Sequence, residues 1–338
     1  MPSDQPPIAC ARSASAASDA LSRRPPPGSN PRRPLHPVGP GLIPMMAAVL
    51  VALSFSGPAP AGQGGADLIV NVTHRARALH PGEIVILDVR TSEAPATLTA
   101  TAFGAALRFF PAGPANVWSA LIGIDLDIEP GRHAVVVQAT AVDGAAAGTA
   151  YTLAVEPKQF ATRRLRVEPR YVDPPPEVVE RILRERDQLA ALFPVSTAVR
   201  YWRDGFLRPV PGRANSAFGR RSVFNGQPRS PHSGADFRAG SGTPIEAPND
   251  GVVVLADDLY FSGNVVIIDH GWGLYSYFAH LSEIDVAEGD RVRRGMVVGK
   301  VGATGRVTGP HLHWTVRLND ARVDPLSLLA LFPAGGGD

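Results

Sequence analysis

Short runs of β-branched and aromatic residues, separated by turns that contain glycine or proline, recur from about residue 66 onward. Runs of this length and composition predict strands rather than helices. Within residues 66–156, dipeptides such as Pro81-Gly82 and Asp143-Gly144 mark the turns. The predicted strands of this stretch are Leu68–Val72, Glu83–Val89, Thr97–Phe103, Arg132–Ala141 and Tyr151–Val155. Strands at this spacing predict an all-β domain with an immunoglobulin-like sandwich fold.

A helical pattern replaces the strand pattern within residues 157–212, which we interpret as a linker. Asp173 followed by Pro174 is typical of a helix start, with aspartate as the N-cap and proline at the first helical position. Apolar residues then follow at helical spacing: Val178, Val179, Ile182, Leu183, Leu189 and Leu192. We expect a helix over about residues 174–193 that ends near Phe193-Pro194 and docks between two β domains.

The strand pattern returns in residues 213–333. The predicted strands are Gly251–Ala256, Asn264–Asp269, Tyr275–His280, Met296–Val301 and His311–Leu318. Glycines between them, including Gly271 and Gly273, mark tight turns. The sequence therefore predicts a mostly β chain whose C-terminal domain is a compact antiparallel β fold with little helix.

The first 61 residues have a different composition. Residues 1–41 are rich in Pro, Ser, Ala and Arg, which predicts a disordered preface. Residues 42–61 hold the apolar run Leu42–Phe55 and the small-residue pattern Ala59-Pro60-Ala61, with Arg32 and Arg33 upstream. This arrangement predicts a secretory signal, either a cleaved signal peptide or an uncleaved signal anchor. We therefore expect export to the periplasm or cell envelope, with membrane contact only if the segment is retained.

Composition narrows the chemistry further. Of the 338 residues, 44% are hydrophobic and 19% are charged, which is ample for hydrophobic cores. A formal net charge of +2 gives no indication of nucleic acid as a partner. The single cysteine, Cys10, precedes the signal-like segment. Cleavage would therefore leave neither a thiolate metal ligand nor a cysteine nucleophile.

Five of the nine histidines lie between residues 232 and 313. Four of these fall in three short motifs: His232 with Asp236 four residues later, the single His280, and His311 with His313. Residues two or four apart on an extended chain point to the same face, so each pair can reach one site. Each motif alone is weak evidence, but the three together in one small β domain indicate a metal site.

A catalytic zinc takes three nitrogen or oxygen ligands from the protein and leaves one position for water. Two of these histidines and the carboxylate of Asp236 would supply such a set and leave two imidazoles for proton transfer. Zinc lowers the pKa of its bound water to about 7. A nearby imidazole can take the water's proton, and another can stabilise a developing oxyanion.

The order of these motifs resembles the M23 family of zinc metallopeptidases, the lysostaphin-like (LytM-type) group. The resemblance spans residues 216–325 and includes the segments Ser216–Arg221, Gly263–Gly271, Tyr275–Leu281, Gly302–Gly305 and Gly309–His313. It implies that His232, Asp236 and His313 bind one Zn²⁺ per chain and that His280 and His311 are the catalytic histidines. His270, at a hairpin tip, is interpreted as structural or as part of the substrate rim rather than as a ligand.

The resemblance implies a zinc metalloendopeptidase that hydrolyses peptide cross-links of peptidoglycan. The segments Ser216–Arg221 and Pro231–Phe237 resemble the exported Gram-negative-type members more than the lysostaphins that cut pentaglycine. This resemblance implies D,D-endopeptidase activity rather than glycyl-glycine cleavage. Two alternatives stay open: a wall-bound regulator that activates a separate amidase, and a peptidase that acts on a protein substrate. Intact residues at all five motif positions favour an enzyme over the regulator. The N-terminal domain would bind a regulatory protein or cover the substrate groove.

Overall fold

The computed structural model describes residues 68–203, 205–214 and 218–335. The predicted disordered preface (1–41) and signal segment (42–61) lie outside these residues. All described elements belong to one compact unit, residues 62–338. Neither helix in the described part of the chain is long and apolar enough to cross a membrane.

The first region is a sandwich of two four-stranded antiparallel sheets. Its strands are β1 (Val70–Ala76), β2 (Ile84–Thr91), β3 (Thr97–Ala102), β4 (Ala105–Ala106), β5 (Phe109–Pro111), β6 (Val117–Gly123), β7 (Gly131–Thr140) and β8 (Ala146–Val155). The strand orders are β1-β2-β6-β5 and β4-β3-β7-β8. Inward-facing residues such as Leu87, Ile122, Val137 and Leu153 form the core between the sheets. The predicted all-β character is confirmed, and the immunoglobulin-like topology stays a prediction.

Strand β6 was not predicted from the sequence. Four consecutive residues of it, Ser119 to Ile122, are buried, so the alternation of apolar and polar positions that identifies a strand is lost. The reason is a second contact: Leu121 on β6 and Ile84 and Ile86 on β2 pack into the core of the C-terminal region, beside Phe206. The two β regions therefore share a hydrophobic core.

The connecting segment contains β9 (Thr162–Leu165), a single helical turn (Pro169–Tyr171) and α1 (Pro176–Leu192). The helix begins two residues later than predicted. Pro175 is its N-cap, and the aspartate-proline pair lies outside it. A residue that precedes proline is disfavoured in the α conformation. Pro174 and Pro175 each precede a proline, so only Pro176, the last of the run, can occupy the first helical position.

The C-terminal region is built on one large antiparallel sheet. Its elements are β10 (Arg221–Phe224), β11 (Gln227–Arg229), β12 (Gly234–Phe237), β13 (Pro244–Glu246), β14 (Gly251–Leu259), β15 (Gly263–Gly271), β16 (Leu274–Ile284), β17 (Arg291–Val292), β18 (Val297–Val301), β19 (Leu312–Leu318), β20 (Ala321–Val323) and α2 (Pro325–Leu331). The main order is β12-β19-β16-β15-β14-β17, with β13, β18 and β20 attached to it. The predicted compact antiparallel fold is confirmed.

The two faces of this sheet have different roles. One face carries Phe278, Trp314 and Val316 into the core that the sandwich shares. The other face, which we call the site face, carries Asp236, Tyr275, Tyr277, Ala279, His313, Thr315 and Arg317. Helix α1 covers part of the site face, because Phe193 at its C-terminal end packs on Tyr275 and Tyr277.

Ion pairs reinforce the contact between the two β regions. The Arg322 guanidinium on β20 binds Asp125, at 2.5 Å, and Asp127, at 2.7 Å, in the loop after β6. The Arg77 Nη2 atom lies 2.7 Å from a carboxylate oxygen of Glu83 and 2.7 Å from one of Asp324, which is the N-cap of α2. The carboxylates of Glu83, Asp125 and Asp324 are largely buried, so each needs its arginine partner, and these pairs link the two regions.

Candidate metal centre

Strand pairing brings together two of the three predicted ligands, Asp236 and His313. Asp236 on β12 lies directly opposite His313 on β19, and directly paired residues of antiparallel strands project to the same face. His232 precedes β12 and reaches the same point. The Asp236 Oδ1 atom lies 2.9 Å from the Nε2 of His232 and 3.0 Å from the Nδ1 of His313. One donor atom from each of the three residues lies within 4.8 Å of the others.

Gly234 makes room for this arrangement. A Cβ atom at position 234 would lie 2.8 Å from the Cε1 atom of His313 and 2.4 Å from the carbonyl oxygen of Trp314. Any side chain there would displace the His313 ring. The glycine between His232 and Asp236 is therefore required by the close approach of β12 to β19.

A hydroxyl group supports the His313 ring. Its Nε2 lies 2.9 Å from the hydroxyl oxygen of Thr315, which is two residues further on the same face. This hydroxyl can donate to Nε2 when the Nδ1 proton is bonded to Asp236, and it can accept the proton of Nε2 when Nδ1 binds a cation. In His232 the corresponding outer atom, Nδ1, is buried and has no hydrogen-bond partner among the described residues. His313 is therefore the ligand candidate whose orientation depends most on a neighbouring side chain.

The electrostatics of the cluster suit a cation. Burial opposes ionisation of Asp236, but hydrogen bonds from His232 and His313 hold the pKa of its carboxyl well below the ordinary value. Burial lowers the pKa of the His313 imidazole. Asp236 is thus a carboxylate and His313 a neutral imidazole at neutral pH, which is the protonation state in which these groups bind a metal. Two nitrogens and one oxygen form the donor set that a catalytic zinc takes, so the residues fit the metal.

His280 reaches the site through an irregular backbone. Ala279 already faces the site, opposite His313, so regular alternation would send His280 to the other face. His280 has a φ of 69°, and the pairing of β15 with β16 shifts register beside it. This left-handed residue turns the imidazole back toward the site, and Leu281 then returns to the shared core. A positive φ is costly for a residue with a side chain and is typical of functional positions.

His280 and His311 present the same ring nitrogen to the cluster. The Nδ1 of His280 donates to the carbonyl of Thr304 at 2.9 Å, and the Nδ1 of His311 donates to the carbonyl of Gly309 at 2.8 Å. Each neutral ring therefore keeps its lone pair on Nε2. The His311 Nε2 lies 3.8 Å from Asp236 Oδ1, and the two ring centroids are 5.1 Å apart. Burial, with the neighbouring imidazoles of His313 and His311, lowers the pKa of His280 to about 3.

The structure does not bring His270 to this cluster. Its ring is fully buried on the core side of the sheet, where Nδ1 lies 2.8 Å from the carbonyl oxygen of Asp250 and Nε2 lies 2.9 Å from the hydroxyl of Ser276. The ring also packs edge-on against Phe206. These contacts agree with the structural interpretation of His270 and leave the substrate-rim interpretation without support.

Two residues that contact the site were not singled out from the sequence. Thr315 extends the alternation of His311 and His313 by one more step on β19, and that spacing could have identified it. Thr304 acts through its backbone carbonyl, and no sequence signal marks a carbonyl acceptor. Tyr277 lies on the site face, whereas Trp314 is fully buried in the core on the opposite face.

The sequence and the fold both match known proteins. The family model described as peptidase family M23 matches residues 230–325. A solved structure from Pseudomonas aeruginosa, assigned to peptidase M23, is 35% identical; the alignment covers 76% of this chain and 97% of that one, with a TM-score of 0.59. The chain therefore belongs to peptidase family M23, whose members are zinc metallopeptidases. The resemblance inferred from the motifs is confirmed, as is zinc as the metal of the family.

Curated relatives match over the peptidase region. The DD-carboxypeptidase/endopeptidase Mpg of Neisseria meningitidis is 46% identical over 97 residues, which are 29% of this chain and 22% of the relative. The peptidoglycan DD-endopeptidase ShyA of Vibrio cholerae is 47% identical over 85 residues, which are 25% of this chain and 20% of the relative. The chain thus matches only about a fifth of the length of these relatives.

Proposed function

We propose that the chain is a zinc-dependent endopeptidase that hydrolyses peptide cross-links of peptidoglycan, as a D,D-endopeptidase acting outside the cytoplasm. The observation that carries the proposal is the convergence of His232, Asp236 and His313 on one point, with the Nε2 atoms of His280 and His311 beside it. The names of the Neisseria and Vibrio relatives support the substrate class and the extracytoplasmic location.

In this proposal His232, Asp236 and His313 hold the metal through Nε2, a carboxylate oxygen and Nδ1. When bound, zinc supplies a water of lowered pKa and polarises the scissile carbonyl. With Nδ1 of His313 on the metal, the Thr315 hydroxyl would accept the hydrogen bond from Nε2, and Gly234 leaves space for the ring. These residues therefore act before the reaction, by orienting the donor atoms.

His280 and His311 are the proposed catalytic histidines. Each ring is oriented by a backbone carbonyl at Nδ1, so that Nε2 can accept a proton from the attacking water. Once protonated, the same nitrogen donates a hydrogen bond to the negatively charged oxygen that develops on the substrate. The low pKa of His280 keeps its ring neutral, and thus able to accept the proton, throughout the neutral range.

The test measures the zinc content and the peptidoglycan cleavage of the same proteins. We would purify residues 62–338, quantify zinc, and digest purified peptidoglycan with the wild type and with His313→Ala, His280→Ala and His311→Ala. We expect one zinc per wild-type chain, loss of zinc and cleavage in His313→Ala, and a loss of about 10²–10⁴-fold in rate with zinc retained in the other two variants. The released fragments identify the bond that is cut.

Other outcomes favour the alternatives. Bound zinc without muropeptide release, but with cleavage of proteins in a substrate panel, would favour a peptidase that acts on a protein. A chain that holds no zinc and stimulates a separate amidase would favour the wall-bound regulator. A regulatory partner for the N-terminal region, periplasmic residence and membrane anchoring remain predictions, which pull-down from envelope extracts and cell fractionation would test.

A further inference from the structure

A groove of about 730 Å³ lies on the site face, between the large sheet, α1 and the N-terminal sandwich. Its volume is in the range of sites that bind small ligands. Three parts of the chain form its walls: the site-face strands, the C-terminal half of α1, and the loops of the sandwich. Its lining includes Ser233, Thr315, Arg317, Phe193, Arg186 and Asp127.

One end of the groove lies beside the proposed catalytic site, because its lining includes Ser233 and Thr315, although no ligand or catalytic side chain lines it. Ser233 is next to His232 in the chain, and the Thr315 hydroxyl is the partner of His313. Arg317 follows two residues later on the same face of β19. At about 3.4 Å per residue, the four residues from His313 to Arg317 span about 13 Å. An extended peptide with its cleaved bond at the metal would therefore reach Arg317 within about four residues.

Arg317 has hydrogen-bond donors left for a ligand. Its Nη1 donates to the carbonyl of Asp320 at 2.7 Å and lies 3.5 Å from a carboxylate oxygen of the same, largely exposed residue. Within the described part of the chain, Nε and Nη2 of Arg317 have no hydrogen-bond acceptor. Phe193 stacks on the guanidinium, 4.7 Å from the ring centroid. Only 23% of the Arg317 side chain is exposed, so the cation is largely out of water.

The other arginines of the groove are already paired with carboxylates. Arg322 is neutralised by Asp125 and Asp127, and Arg186 pairs with the neighbouring, exposed Asp187. Burial lowers the pKa of Arg317, and the like charge of Arg322 lowers it as well. The carboxylate of Asp320 offsets these effects only in part. A bound carboxylate would supply the missing compensation, through the bidentate geometry that guanidinium groups favour.

We propose that Arg317 forms a substrate subsite that binds a free carboxylate of the peptide, up to about four residues from the bond that is cut. The proposal rests on the proposed function for the class of substrate and adds a determinant of specificity to it. It predicts that the enzyme prefers cross-linked peptides that carry free carboxylates to the same peptides with those groups amidated.

The experiment compares cross-linked stem-peptide dimers, released from peptidoglycan, with the same dimers after carbodiimide-driven amidation of their carboxylates. Wild type, Arg317→Gln, Arg317→Lys and the control Arg291→Gln, on the exposed edge strand β17, would be tested on both. We expect the wild type and the control to prefer the free dimers by about tenfold or more in kcat/KM, in line with a hydrogen-bonded charge pair. Arg317→Gln should lose this preference, with zinc content unchanged, and Arg317→Lys should keep part of it.

A binding measurement separates this inference from the proposed function. Calorimetric titration of the zinc-free proteins with both dimers does not depend on cleavage. If the wild type cleaves neither dimer but binds the free form more tightly through Arg317, the proposed function fails and the subsite stands. If the wild type cleaves or binds both dimers equally, or Arg317→Gln keeps the wild-type preference, the subsite is refuted. Circular dichroism and partial rescue by Arg317→Lys distinguish lost recognition from a fold that is lost.

Discussion

Replacing Thr315 by valine should weaken zinc binding without touching a ligand. Valine has the shape of threonine but cannot accept the hydrogen bond that His313 Nε2 makes at 2.9 Å. Thr315 is 2% exposed, so no bulk water takes the place of its hydroxyl. Metal binding at Nδ1 would place the proton of His313 on Nε2, and the valine variant would offer that buried proton no acceptor. Loss of such a supporting partner lowers metal affinity by about 10–100-fold, or about 1.4–2.7 kcal/mol.

The assay is a zinc competition titration against a chromophoric chelator, which reports the dissociation constant independently of catalysis. Thr315→Ser is the matched control, because it keeps the hydroxyl and removes only a methyl group. We expect Thr315→Ser to bind zinc within about threefold of the wild type, well short of the loss expected when the partner is removed. If Thr315→Val bound zinc as tightly as the wild type, or if both variants lost affinity equally, the hydroxyl would not be orienting His313.

Three further predictions concern the surroundings of the site. Gly263 has a φ of 62°, and a Cβ there would lie 2.2 Å from the Thr304 hydroxyl oxygen. Gly263→Ala should therefore displace Thr304, whose carbonyl orients His280. We expect kcat to fall by up to about a hundredfold, with zinc retained. Arg322→Ala should lower the free energy of unfolding by about 1–3 kcal/mol in urea titrations, because it leaves the largely buried carboxylate of Asp125 unpaired. The control Arg291→Ala should change it by less than about 0.5 kcal/mol. Burial lowers the pKa of His270 to about 4, against about 6.5 in the unfolded chain. The unfolded state therefore binds the proton first, and as the pH falls from about 6.5 to 4 this group removes up to about 3 kcal/mol of stability. Urea titrations across that window should give a shallower pH dependence for His270→Gln, and an unchanged slope would contradict the assignment.

The metal cluster was predictable because its geometry is local and periodic. His232 with Asp236, and His311 with His313, each lie on one face of extended chain, and strand pairing needs only to bring the two segments together. The position of His280 was predictable only from the family pattern. Simple alternation would place its side chain on the opposite face. The left-handed conformation that corrects this is adopted by His280 itself, and it is not signalled by a glycine or an asparagine, the residues that usually adopt it.

Contacts between distant segments were beyond the sequence pattern. Strand β9 pairs in parallel with β10, with Thr162 opposite Arg221, and nothing in either segment specifies a partner about 60 residues away. The groove subsite is similar, because Phe193 ends a helix in the linker and Arg317 lies on a strand more than a hundred residues later. Strand β6 was missed for a related reason: burial on both sides removed the alternation that would have marked it.

The shared core decides where this molecule can be divided. Ile84, Ile86 and Leu121 of the sandwich lie in the same core as Phe206 of the linker and Phe278 of the peptidase region. Exposing three such side chains would cost about 5–9 kcal/mol, which is comparable with the whole stability of an ordinary domain. A protease that separated the two regions would thus expose this core and leave an unstable peptidase fragment. A gene rearrangement that transferred only the segment with the histidine motifs would encode the same unstable fragment. The smallest unit that such events can pass on is the sandwich, the linker and the zinc site together.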